Sequence, residues 1–228
     1  MTNLCFSSET YILDINDVTV LKDCDSVIAN IKSDDIVILM GDMDQNIPDT
    51  LLCGRENINK AIANNKEYVA AKIAFISKIK KYDIFTQFIK KLRGKYKIWS
   101  SNIYHTNPEF IRKMKIERSF RTKENAFNFT NPLYRSSEDE RIKRYEKLCE
   151  SIKNGYDDNF PIDIMLLRML GVKDNVNNGH HRMAVALEHG IKRISVRFSA
   201  VGQAPRILHP LMKVVADIAI RIKQKKKS

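Results

Sequence analysis

Apolar and polar positions along the chain change their rhythm several times, and each change predicts a different element. Residues 35–40 read DIVILM, a short apolar run closed by GDMD, which predicts a buried strand and the turn after it. That turn, at Gly41 and Asp42, either places acids at a ligand edge or is simply solvated. From about Asn57 to Leu92 the pattern is helical, with Ile58, Ile62, Val69, Ile73, Phe75, Ile76 and Ile79 supplying the apolar faces. Residues 99–135 are polar and turn-rich, punctuated by Asn107-Pro108 and Asn131-Pro132. The rhythm then sharpens. SSEDERIKRYEKLCESIKNG predicts a helix capped by Ser136 or Ser137 and ended by Gly155, with an apolar stripe of Ile142, Tyr145, Leu148, Cys149 and Ile152. PIDIMLLRML predicts a strand, Gly171 to Asn178 a turn, HHRMAVALEHG a short helix closed by Gly190, and ISVRF a final strand.

These elements predict an α/β protein, and 228 residues suffice for one large domain or two small ones. A hydrophobic fraction of 43% with 29% charged residues excludes global disorder. The net charge of +12 changes the picture, because it favours polyanionic company: nucleic acid, an anionic membrane surface or phosphorylated substrates. Lysines at 78, 80, 81, 90, 91, 95 and 97, with Arg93, read either as a solvated helix face or as a phosphate- or lipid-facing surface. Phe110, Phe120, Phe127, Phe129 and Tyr134, interleaved with basic residues, suit nucleic-acid stacking or interdomain packing.

Cys5, Cys24, Cys53 and Cys149 form no CxxC pair, which argues against a zinc ribbon or a disulfide scaffold and suits a reducing cytoplasm. Cys149, among apolar neighbours, reads as a buried structural thiol. The N-terminal residues lack a basic stretch followed by an apolar one, and no apolar window reaches a membrane-spanning length of about 18 residues. The expected location is cytoplasmic, or peripheral on the inner membrane face.

Candidate chemistry gathers in NVNNGHHRMAVALEHGIKRISVRF, which holds His180, His181 and His189. Gly179 would let the backbone approach a ligand closely. His180, His181 and Arg182 open a helix whose N–H groups attract anions, and Arg182 adds a forked pair of donors. Alternatively the two histidines are satisfied side chains beside a strand. A metal site from them is disfavoured, because neighbours on a helix diverge by about 100°.

Between about Thr130 and Val201 the words NPLYR, LCESIKNG…FPIDI and NNGHHRMAVALEHGIKRISVRF follow in an order that resembles the ParB/sulfiredoxin superfamily. The resemblance implies a mixed small-sheet domain at residues 116–205, after an α/β, helix-rich region at 1–115 that matches nothing known, and before a basic amphipathic helix at 206–228. It implies that Gly179, His180, His181, Arg182 and Asn178, with Arg135 from NPLYR, hold ATP or another nucleotide with Mg2+. Sulfiredoxins place a cysteine where this chain has His180, so sulfinic acid repair is not expected. The partitioning proteins carry a DNA-binding region downstream that the remaining residues are too few to hold. GHHR is similar to the kinase-like branch, which phosphorylates small hydroxyl compounds and usually writes DGHHR; Asn178 departs from that aspartate. The expected catalytic groups are His180, with Glu138 and Asp174 as candidate carboxylates, although Glu138 also suits a helix first turn and Asp174 an ordinary turn. The leading expectation is therefore a phosphotransferase acting on a hydroxyl-bearing small molecule or glycan. The alternative is a nucleotide-switched nucleic-acid-binding protein, and the clustered acids of a metal nuclease are not evident. In the tail, Leu211, Val214, Val215, Ile218 and Ile222 precede four lysines, which suits either an anionic membrane interface or a core-packed helix.

Overall fold

The structure is a computed structural model that describes residues 3–24, 35–42, 46–77, 98–116, 127, 137–153, 155–166 and 173–201. Arg135, the lysines of 78–97, the aromatics Phe120, Phe129 and Tyr134, and the tail at 206–228 lie outside the described residues. The described chain is mixed α/β, with two mixed sheets and five helices. The first sheet contains β1 (Asn3–Phe6), β2 (Tyr11–Asp14), β3 (Lys22–Asp23), β4 (Ile36–Leu39), β5 (Thr50–Cys53) and β6 (Tyr68–Ser77). Its order is β1-β6-β4-β5-β3, with β2 also on β6. The second sheet is ordered β7-β10-β8-β9, from β7 (Ile98–Thr106), β8 (Ile162–Leu166), β9 (Asn175–Asn178) and β10 (Ile194–Val201). The helices are α1 (Ile15–Thr19), α2 (Arg55–Ala63), α3 (Pro108–Lys113), α4 (Glu138–Lys153) and α5 (His180–Glu188).

Both sheets are built on one pattern. In the first, β6 pairs antiparallel with β2 and parallel with β4, and β4 pairs antiparallel with β5. In the second, β10 pairs antiparallel with β7 and parallel with β8, and β8 pairs antiparallel with β9. The registers agree as well. Tyr11 and Ile36 both stand opposite Ala71, while Tyr104 and Ile162 both stand opposite Val196. Each β4–β5 or β8–β9 pair shifts register after its first residue pair, between Val37 and Ile38 or between Asp163 and Ile164. Gly54 and Gly179 then start nine-residue helices, with left-handed φ of 100° and 90°. Three residues beyond each tyrosine sits a helix cap: Asp14 accepts from Asn16 N–H and Asn107 from Glu109 N–H. The described residues form a tandem of two such units, the second enlarged by α4.

The units face each other across one core. Tyr11 meets Phe198 edge-on at 4.7 Å, and Ile38, Ile58, Ile73 and Phe75 join Ile162, Ile164, Val196 and Met183 in a single buried cluster. Two buried aspartates cross the seam. Asp49 accepts from Tyr104 Oη at 2.6 Å, Asn102 N at 3.0 Å and Gly41 N at 2.8 Å. Asp174, its counterpart five residues before the second glycine, accepts from Tyr11 Oη at 2.8 Å and Ser8 N at 2.9 Å. Each unit therefore supplies the tyrosine that completes the other's aspartate. Burial, and then the neighbouring aspartate, hold both phenols well above the usual tyrosine range.

Three expected elements are corrected. The helix expected from Asn57 ends at Ala63, because Asn65 turns left-handed at φ 51°, and residues 68–77 form β6. Val69, Ala71, Ile73 and Phe75 are buried on one face, a period of two that the sequence hides among alanines fitting either rhythm. The polar segment from Trp99 begins as the edge strand β7, and Asn107-Pro108 caps α3. β7 falls within region 1–115 yet pairs in the second sheet, so that sheet reaches back to Ile98. Within the expected turn at 171–178, residues 175–178 are β9.

The expected helix after Ser137 is α4, where Ser137 N–H donates to Glu140 and Glu140 N–H donates to Ser137 Oγ. Ser137→Ala is expected to cost about 1 kcal/mol in urea denaturation. The stripe is shifted by one position at its start: Ile142 is exposed and Arg141 buried, while Cys149 and Ile152 pack on Ala184 and Val185. Among the described residues no helix is long and apolar enough to cross a membrane.

Candidate functional site

The GHHR stretch begins where β9 ends at the edge of the second sheet. Gly179 suits that place by its left-handed φ of 90° and by the nearness of the neighbouring strand: a Cβ would stand 3.0 Å from Ile162 Cα and 3.1 Å from its Cγ1. The backbone at Gly179 thus runs close against β8. From Gly179 the chain enters α5, whose first intrahelical bond runs from Met183 N–H to the Gly179 carbonyl at 2.9 Å. No side chain caps this end, and no acid lies in its first turn. The positive end of the helix dipole therefore coincides with His180, His181 and Arg182.

The three side chains divide their work. His181 stacks on Phe127 with centroids 4.3 Å apart, and His180 lies 4.2 Å from His181 at a tilt. Arg182 donates to the carbonyls of Phe160 and Pro161, the latter at 3.3 Å, and lies 5.9 Å from the Phe160 ring. That turn is itself held by Asp157, which accepts from Asn159 N–H at 2.9 Å. Arg182 thus fastens α5 to the turn before β8, beside a Phe160 that is 62% exposed. Nearby, burial pushes the Tyr156 phenol up to about 12, against the pull of Arg182.

The candidate carboxylates are not gathered with these groups. Asp174 is fully buried in the seam between the units, against Tyr11 and Ser8. Glu138 is exposed in the first turn of α4, beside the Ser137–Glu140 cap. Asn178, in contrast, stands directly opposite Asp163 of β8. Sequence reading passed over Asp163 as part of a strand. It is 7% exposed, accepts from Asn177 Nδ2 at 2.8 Å, and takes the Ser199 hydroxyl on its other oxygen. The signal was present: one acid inside the apolar run PIDIMLL, on a strand otherwise buried along its length.

Among the described residues no group of three or more His, Cys, Asp or Glu side chains is arranged to hold a metal ion. In comparison with known proteins, no family model matches the chain, and neither a curated protein nor a solved structure does.

Proposed function

We propose that the chain is a nucleotide-dependent phosphotransferase that moves a phosphoryl group to a hydroxyl of a small molecule or glycan, with the first turn of α5 holding the nucleotide phosphates. The observation that carries this reading is a difference between the two units. Helix α2 of the first unit has Glu56 in its first turn, and its Arg55 is engaged by Asp23 at 2.9 Å and by the carbonyls of Thr19 and Leu21. Helix α5 occupies the equivalent place with two histidines, an arginine and no acid. Acids offset the positive end of the first helix, and no acid in its first turn offsets that of the second.

Phosphoryl transfer needs little covalent help from a protein; it needs placement and neutralisation of charge. The backbone N–H groups opening α5 and the paired histidines supply both at one end of the sheet. Arg182 keeps that end in position through the Phe160 turn. Mg2+, when bound with the nucleotide, neutralises further phosphate charge.

A thermal-shift series with Mg2+ and ATP, ADP, CTP or GTP tests the reading. At a hundred times its dissociation constant one nucleotide should stabilise the chain by about 2.7 kcal/mol. The shift should vanish in His180→Ala/His181→Ala with the fold intact by circular dichroism. No shift with any nucleotide would remove the proposal. A shift without turnover, joined to salt-dependent nucleic-acid affinity, would favour a binding protein instead.

A further inference from the structure

We infer that Asp163 is the carboxylate that takes the acceptor's hydroxyl proton, at the base of a hydroxyl-binding site on the outer face of the second sheet; this rests on the phosphotransferase reading. The tandem supplies an internal comparison. By register, Val37, Leu52, Cys53 and Ala74 of the first unit correspond to Asp163, Asn177, Asn178 and Ser199 of the second. In the first unit Val37 and Ala74 are buried in an apolar cluster, with Leu52, Cys53 and, from β1, Leu4 and Phe6 packed against it. The same strands, registers and bulge thus form with apolar side chains, so neither the strand pairing nor the bulge requires polar ones there. Buried polar groups carry a desolvation cost that a purely structural position would avoid. The substitution to carboxylate, two carboxamides and a hydroxyl occurs only in the unit that also carries GHHR.

Placement agrees with that chemistry. The β-bulge sets both Asn177 and Asn178 against Asp163, the kind of irregularity that re-aims side chains beside functional sites. Asn178 leads directly into Gly179, so the cluster and the first turn of α5 share one end of the sheet. Arg197, the neighbour of Asp163 on β10, is exposed at the rim with Asn177 and Asn178. Asn177 and Ser199 bond one carboxylate oxygen each, and a carboxylate accepts about four bonds, so capacity remains for an acceptor hydroxyl. Amide, hydroxyl, carboxylate and guanidinium together suit a polyol or sugar.

In the step, the acceptor oxygen forms a bond to the γ-phosphorus of the nucleoside triphosphate as the bond from that phosphorus to the β–γ bridging oxygen breaks. The bridging oxygen leaves with the electron pair on the nucleoside diphosphate, and the hydroxyl proton passes to Asp163. Nothing is oxidised or reduced.

The test uses the full chain, Asp163→Asn, and a triple variant carrying Asp163→Val, Asn177→Leu and Ser199→Ala, which writes the first unit's residues into the second. Melting temperature, the nucleotide-induced shift, and release of nucleoside diphosphate with water, glycerol or glucose as acceptor are measured. Expected results are a triple variant that melts at or above wild type and a nucleotide shift kept in both variants. For Asp163→Asn, kcat should fall by at least about 100-fold, with the nucleotide KM within about twofold. A triple variant melting several degrees below wild type would make the cluster structural and overturn the inference. So would an Asp163→Asn chain that keeps its kcat. Nucleotide binding by wild type with no turnover on any acceptor overturns the role of Asp163 and leaves the phosphate site standing; absence of binding removes both.

Discussion

Asp49→Ala is expected to lower the stability of the chain by at least about 3 kcal/mol, read as a lower urea midpoint with an unchanged slope. The side chain satisfies three donors at once: half-buried Gly41 N–H from its own unit, and half-buried Asn102 N–H and buried Tyr104 Oη from the other. Truncation orphans all three, and each orphan costs about 1–3 kcal/mol, reduced by the charge no longer buried. A loss below about 1 kcal/mol would mean that water reaches the seam. Asp49→Asn adds a check on sign. Burial raises the Asp49 carboxyl above its ordinary value, while the bonds from Tyr104, Gly41 and Asn102 pull it down. An unfolded aspartate titrates near about 3.9, so from there up to the raised folded value the folded chain binds more protons. The wild-type advantage over Asp49→Asn should therefore shrink as pH rises through that window and level off above it. An advantage that grows with pH would contradict the raised value.

Gly54→Ala is expected to cost about 2–5 kcal/mol and to exceed Gly179→Ala, by the same urea measurement. Both glycines occupy the same place in their units and both have positive φ. The difference lies in the room left for a methyl group. At Gly54 a Cβ would stand 2.6 Å from Ile36 Cα and 2.7 Å from the Asp35 carbonyl oxygen, both backbone atoms. At Gly179 the nearest atoms are at 3.0–3.2 Å, and one belongs to the movable Arg182 side chain. Equal costs at the two sites would mean that backbone conformation, and not contact, sets the penalty.

Much of the second unit is legible in the sequence because its signals are local. The capping residues before α4, the apolar runs of β8 and β10, and the glycine before α5 each act within a few residues. The tandem is not legible in the same way. It resides in strand registers, and the shared residues (Tyr11 and Tyr104, Ile36 and Ile162, Asp49 and Asp174, Gly54 and Gly179) are sparse and separated by connections of unequal length. Asp174 illustrates the limit. It reads as an ordinary turn aspartate until the structure brings Tyr11 against it from the far end of the chain. Asp163 is obscured for a related reason, since a bulge on another strand decides which groups face it.

The crossed aspartate–tyrosine pairs also order events during synthesis. Asp49 leaves the ribosome well before Tyr104, and Tyr11 long before Asp174, so Asp49 waits for the start of the second unit and Tyr11 until most of the chain has emerged. A nascent first unit holds a carboxylate with Gly41 N–H but without its two cross-unit donors, and a phenol without its aspartate, which disfavours closing its core early. The expected consequence is that contacts distant in sequence form late and the two units lock together in one cooperative step instead of folding in turn.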